Sequence, residues 1–389
     1  MFLPELKVGH QKLIIHRDIS MGNLFIFERD KKQTSFGRLM DYDHAKKASG
    51  WCEIPSKITS LESDRYLLKA NLERNFGRKA VDDVLDTALK WHHPALASEY
   101  IRAVAKLSGL SDHASESPLT MKDLGWHNTE DKTKAHRWPD FTSRVAGPGE
   151  RTGTLAYMSG DVINRAVLHE PVGMKRVPPF VHEAIHDVES LLWVLVRLCL
   201  TWKGPGLNMR RNEELDEGSL ECNHKLRNLI IRLFDGEQEV LKETKRDLHR
   251  DWQSFEDEVV EHFHPYFNPL KSFVLRWWNT LILGYKYRAD EYYHIHDHIL
   301  GIIDEAIECV KTIPDDEQAR KAELKRRRKC KEHRLGTFSS KTPEMPPLST
   351  SPSELEPLMR TPQQRHQSLE QDPDSPTAAL SRKMRETHI

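Results

Sequence analysis

Five cysteines in 389 residues (Cys52, Cys199, Cys222, Cys309 and Cys330) stand at no metal-ligand spacing. So few, so scattered, exclude a disulfide framework and fit a reducing compartment. The apolar stretch over residues 188–200 is too short and too poorly flanked to span a membrane. No charged segment followed by an apolar one and a small-residue cleavage site opens the chain. Secretion is therefore not expected, and the expected location is intracellular, cytoplasmic and/or nuclear. Charge of one sign is also missing: 58 Lys+Arg against 59 Asp+Glu leave a net charge of −1. That balance gives no global pull toward nucleic acid or a membrane surface, and neither is expected as a partner. The length suffices for one large or two ordinary domains with a substantial core.

What is present is concentrated near the start. Residues 16–23 read His-Arg-Asp-Ile-Ser-Met-Gly-Asn. They carry a proton acceptor, Asp18, and an oxygen ligand, Asn23, at the spacing a protein kinase uses in its catalytic loop. Four fixed residues at fixed spacing arise by accident in a chain of this size at a rate on the order of a few in a thousand, so context must add weight. Leu13, Ile14 and Ile15 read as a short buried strand leading into the loop, and Leu24 to Phe27 as a strand leaving it. After a polar turn, Phe36 to Met40 return and deliver Asp41 to the place of a second metal-binding carboxylate. Phosphoryl transfer needs an aligned acceptor hydroxyl and cations that neutralise the transferring group. Asp18 would orient and deprotonate the hydroxyl. Asn23 and Asp41 would supply hard oxygen ligands for Mg²⁺. Arg17 would offer its guanidinium to an activation segment, or to a phosphate there. The plainer reading of the same residues is a charged surface hairpin.

Four stretches carry a resemblance: IIHRDISMGN (residues 14–23), LMDYDHA (39–45), RTGTLAYM (151–158) and HDVESLLWVL (186–195). On these the chain resembles the fungal-type protein kinase family, a divergent branch of the protein-kinase superfamily, over roughly residues 13–310. The resemblance implies an α+β fold, a mostly helical kinase-like large lobe. It also implies ATP-dependent phosphorylation of serine or threonine on a protein substrate, with ATP and Mg²⁺ as cofactors. His16, Arg17 and Asp18 then open the catalytic loop, and Asn23 and Asp41 hold the metal and nucleotide. Thr154 looks like the threonine that bonds to the catalytic aspartate and shapes the acceptor site. Asp161 stands where the family has a glutamate paired with a buried arginine, and its shorter side chain puts that pair in doubt. Asp187 looks like the aspartate that opens the central helix and bonds back to the catalytic-loop backbone.

Departures are local. The family's Asp-Phe-Asp is Asp41-Tyr42-Asp43 here, and Ser20 replaces the lysine that touches the γ-phosphate in most serine/threonine kinases. Neither a glycine-rich strand-loop-strand nor a lysine–glutamate pair precedes His16, so the chain alone is expected to bind MgATP weakly. That opens a reading of a different class, a non-catalytic kinase remnant acting as an interaction module.

A rival motif overlaps the last stretch. His182-Glu183-Ala184-Ile185-His186 fits H-E-x-x-H, which on a helix puts two imidazoles on one face for Zn²⁺. Glu189 and Leu192 stand where the extended pattern needs glycine and histidine, so polar residues at a helix start are expected instead. His294, His296 and His298 are read as an exposed polar stripe.

Periodicity divides the rest. Residues 188–200 are apolar nearly all round, the pattern of a helix buried at the centre of a domain. About 120 residues separate Asp41 from Asp161, which places an insertion at about 50–148 inside the activation segment. Within it Val81, Val84, Leu85, Ala88 and Leu89 share a helix face, as do Tyr100, Ile101, Val104 and Leu107. Helical faces continue to Val310, so the lobe is assigned to residues 1–313. A basic linker, 314–336, follows. Its run from Lys325 to Lys331 is read either as a solvated helix end or as a nuclear-import or nucleic-acid patch, an import receptor being the partner in the import case. Residues 337–389, rich in Pro and Ser and poor in apolar residues, are expected to be disordered.

Overall fold

Helices dominate, because apolar residues recur at helical spacing through most of the chain and at strand spacing only around the early hairpin. In chain order the described elements begin with α1 (Leu3–Gln11), β1 (Ile14–Ile15), β2 (Leu24–Glu28), β3 (Ser35–Leu39), β4 (Lys46–Lys47) and β5 (Trp51–Glu53). Then come α2 (Glu62–Phe76), α3 (Asp82–Leu89), α4 (Pro94–Leu107), β6 (Arg137–Pro139) and α5 (Gly160–Asn164). The last group is α6 (Ala184–Thr201), α7 (Asn212–Leu215), α8 (His224–Ile230), α9 (Gln238–Arg250), α10 (Phe255–Glu258), α11 (Lys271–Lys286) and α12 (Tyr292–Lys311). The computed structural model describes residues 3–12, 14–28, 35–48, 50–53, 62–89, 93–108, 110, 117–124, 126, 137–139, 153–170, 172, 180–204, 209–287 and 292–313, with 318, 321, 322, 324–326, 328 and 329. Residues 1–328 form one compact unit and 329–389 another. The tail assigned to disorder lies outside the described residues.

Among the described residues the strands pair as three antiparallel ribbons. β1 pairs with β4, Ile14 opposite Lys47. β2 pairs with β3 over five positions, Leu24 opposite Leu39. β5 pairs with β6, Trp51 opposite Pro139, so the inserted segment leaves and returns at one place. These pairings bring the loops 16–23 and 40–45 side by side.

Helix α6 is buried along nearly its whole length. Trp193 on it meets Phe234, Phe255 and Trp278, with ring centroids 6.3, 6.1 and 5.8 Å apart. Phe255 and Trp278 stack at 4.5 Å and 16°. Such pairs add about 0.5–1.5 kcal/mol each beyond the area they bury, and here they pin α10 and α11 to α6.

The insertion builds its own core. Leu68, Leu72 and Phe76 of α2 pack with Val84, Leu85 and Leu89 of α3 and Tyr100, Ile101 and Val104 of α4. Trp126 stacks on Tyr100 at 5.8 Å. Two helices were legible there; α2 was not, because its apolar residues are sparse among charged ones. Leu283 of α11 and Tyr287, just past its end, complete this core, so the insertion rests on the helix that also supports α6.

One expectation needs adjustment. His296 is 2 % exposed and its Nε2 lies 2.9 Å from His10 Nδ1, so it is not part of an exposed stripe; the side chain of His294 lies outside the described residues. Among the described residues no helix is long and apolar enough to cross a membrane. The described positions from 318 to 329 are helical, with Lys325, Arg328 and Lys329 exposed. Cys199, Cys222 and Cys309 are free thiols, and burial pushes the first up to about 12.

Candidate functional site

The loop after β1 is held from below by α6. Asp187, in the first turn of that helix, accepts from His16 N at 2.7 Å through Oδ2 and from Arg17 N at 3.0 Å through Oδ1. His10 Nε2 lies 3.2 Å from the same Oδ2, and His182 Nε2 3.6 Å from Oδ1. Burial by itself would raise the Asp187 carboxyl; the hydrogen bond from His10 and the nearby imidazoles of His10 and His182 outweigh it and hold the group well below the usual carboxylate range. Burial takes the imidazole of His182 down to about 4.

Above this anchor the loop aims Asp18 outward. Asp18 Oδ1 accepts from Thr154 N at 2.9 Å and from Thr154 Oγ1 at 3.1 Å. Oδ2 accepts from Asn23 Nδ2 at 3.2 Å, and the same amide nitrogen donates to Asp18 O at 2.9 Å. Both amide hydrogens of Asn23 thus serve Asp18, which leaves its Oδ1 as the oxygen it can offer to a cation. Arg17 is buried and has φ +69°, the backbone twist that turns Asp18 away from the anchor.

Asp41 is brought to the same place by the hairpin. Met40 N donates to Asn23 O at 2.9 Å, and Met40 O accepts from His16 Nε2 at 3.0 Å. Asp18 N donates to His16 Nδ1 at 3.4 Å, so this histidine carries its proton on Nε2. The Tyr42 ring packs on His16 at 4.6 Å between centroids. Asp41 itself is exposed with φ +63°, a left-handed conformation that aspartate tolerates better than most residues and that gathers at functional sites.

Thr154 reaches Asp18 because Gly153 lets it. Gly153 has φ +111°, and a Cβ there would stand 2.6 Å from Arg17 O. No other residue type permits that approach without moving the loop.

The segment after Thr154 is held by a second buried cluster that the sequence did not reveal. Glu189 Oε1 accepts from Gly160 N at 2.8 Å, from Trp193 Nε1 at 2.8 Å and from His249 Nε2 at 3.1 Å, while Oε2 accepts from the Tyr285 hydroxyl. His249 Nδ1 lies 3.1 Å from His169 Nε2. Lys245 Nζ donates to Ala156 O at 2.9 Å and to Met158 O, and sits 4.8 Å over the Trp193 ring. Burial would raise Glu189, but His249 and its other donors take it down to about 2. Burial lowers Lys245 to about 7, Glu189 opposing, and lowers His169 to about 4. One clue was in the sequence: Lys245 and His249 lie on the apolar stripe of α9 beside Leu241 and Leu248, where a surface helix puts no charge.

Asp161, beside this cluster, is fully buried; Oδ1 accepts from Leu168 N at 3.0 Å and Oδ2 lies 3.7 Å from His186 Nε2. His182 and His186 do not share a helix face, since α6 starts after Glu183 and His186 Nδ1 accepts from Glu183 N at 2.7 Å as part of a capping box. Among the described residues no cluster of three His, Cys, Asp or Glu side chains is placed to hold a metal. A hard cation is a different case: the Asn23 amide oxygen and the Asp41 carboxylate are the donor types that Mg²⁺ takes, one or two per site with phosphates and water for the rest.

Compared with models of protein families, with curated proteins and with solved structures, the chain shows no match.

Proposed function

We propose that this chain carries the acceptor side of a phosphoryl-transfer site, of the protein serine/threonine kinase type, and that its lobe is a kinase-like large lobe. The observation that carries this reading is Asp18: a carboxylate with three donors on it, on a loop whose backbone is pinned at His16 and Arg17 by a buried aspartate. Such a group is pre-organised to receive a hydroxyl, which is the positioning this chemistry depends on. Its Oδ2, which takes one donor, has the lone pair to accept the proton of a serine or threonine hydroxyl. Thr154, bonded to Oδ1 by main chain and side chain, fixes the face that the acceptor meets. ATP is the donor implied. Mg²⁺, when bound, neutralises charge on the transferring group; Asn23 Oδ1 and Asp41 would hold it.

One observation favours the reading as a non-catalytic interaction module. Ser20, at the position of the phosphate-touching lysine, is 7 % exposed and brings no positive charge. Transfer of radiolabelled γ-phosphate from MgATP to a serine/threonine peptide library by the full-length protein decides between the two. Incorporation that is lost at least a hundredfold in Asp18→Asn supports the kinase reading. Absence of both nucleotide binding and incorporation at millimolar MgATP leaves the interaction module.

A further inference from the structure

Kinase-type sites need the acceptor-side segment to be rigid, and here residues 154–160 run between Asp18 and a buried ionic cluster. The segment makes a short turn at residues 155–157 and enters α5 through Ser159, whose side chain accepts from Val162 N. Its carbonyls at 156 and 158 both take hydrogens from Lys245 Nζ. Its amide at 160 donates to Glu189. Lys245 and Glu189 are each fully buried, and Trp193 links them: its ring face lies under Nζ while its Nε1–H donates to Oε1. The backbone at 160 lies so close to His249 that a Cβ there would meet the ring at 2.5 Å. The other end of the segment is tied to the Asp18 carboxylate by Thr154.

We propose that Lys245 and Glu189 form an internal clamp that positions residues 154–160, and through Thr154 the Asp18 carboxylate, for the acceptor hydroxyl. Lys245 touches neither substrate nor Asp18; it is a positioning residue. Two carbonyls pointing inward need a donor that can reach both, and an ammonium on an unbranched stem does so. A buried cation serves this purpose only beside a counter-charge and a π face, which Glu189 and Trp193 supply. The clamp is read from contacts alone; what it serves rests on the phosphoryl-transfer reading.

The test uses the full-length protein in three forms: wild type, Lys245→Met, which keeps the stem and removes the donors, and Lys245→Arg, which keeps donors. Amide hydrogen exchange is followed at Thr154 and Gly160, with amides of α11 as reference. The clamp predicts at least tenfold faster exchange at Thr154 and Gly160 in Lys245→Met, unchanged exchange in α11, and a near-wild-type pattern in Lys245→Arg. Where phosphotransfer is measurable, kcat falls at least tenfold in Lys245→Met while KM for ATP stays within twofold. Unchanged Thr154 exchange, or acceleration spread evenly over the domain, overturns the proposal. Should Lys245→Met fail to fold, Tyr285→Phe removes one bond from Glu189; about threefold faster exchange at Gly160 and Thr154 supports the clamp, and none overturns it. A wild type with no phosphotransfer but with the exchange pattern above discards the kinase reading and keeps the clamp.

Discussion

Asp187 and Glu189 stand two residues apart on α6, both ionised and both wholly buried, yet they hold opposite sides of one site by different means. Asp187 spends its oxygens chiefly on the main-chain amides of a single short loop, His16 and Arg17. Glu189 takes one main-chain amide and three side chains, from Trp193, His249 and Tyr285, on three different helices. An aspartate at the start of a buried helix can serve backbone amides wherever a loop is delivered to it. A glutamate two residues further on finds one partner, Trp193, on its own helix but needs α9 and α11 in place before His249 and Tyr285 can reach it. The first arrangement is modular; the second makes the site hostage to the core.

That contrast predicts an order of stability losses. Glu189→Leu should cost about 4 kcal/mol, because it strands the Tyr285 hydroxyl, the Trp193 N–H and the Gly160 amide and leaves Lys245 without its counter-charge. Asp187→Ala should cost about 3 kcal/mol, two backbone amides and an imidazole losing one acceptor group. Urea midpoints at equal m-value measure both. If Asp187→Ala is the more damaging, the comparison is reversed.

Acid should act on both sides together. His182 beside Asp187 and His169 beside His249 are each lowered by burial from 6.5 to about 4. Between those pH values the unfolded chain binds protons that the native one does not. Their contribution to stability is therefore complete above pH 6.5 and is lost as pH falls toward 4, by about 3 kcal/mol per histidine. His169→Gln should remove its share of the slope and leave that of His182, a difference visible in melting temperature against pH.

The smallest effects come from the two close approaches. Gly153→Ala introduces strain at φ +111° and a clash with Arg17 O, and should cost about 2 kcal/mol while displacing Thr154 from Asp18. Gly160→Ala meets the buried His249 ring instead and should cost about 1–2 kcal/mol. Gly153→Ala should change exchange at residues 16–18, Gly160→Ala at residues 245–249. Identical exchange maps for the two would merge what the structure separates.

How far the chain could be read follows from where each contact lies. The hairpin from Leu24 to Leu39 was legible because both strands and the turn are contiguous, and α6 because its apolar residues leave no polar face. The helices α3 and α4 showed themselves by spacing, whereas α2 did not, being covered by so many charges that three buried residues carry its packing. His10 and His296 gave no hint of each other across 286 positions. Lys245 and His249 did leave a trace, charge on an apolar stripe, but a trace without a partner has no meaning in one dimension.

The residue types of the candidate site, Asp18, Asn23, Asp41, Thr154 and Asp187, were set by the sequence itself, since each sits in a short motif whose chemistry depends on identity and local spacing. Tertiary structure alone decided that the segment bearing Thr154 is locked to α9 and α6 through Lys245 and Glu189. The reason is physical: a buried charge is tolerated only where several separate elements converge to solvate it, and convergence is a property of the folded chain, not of any stretch of it.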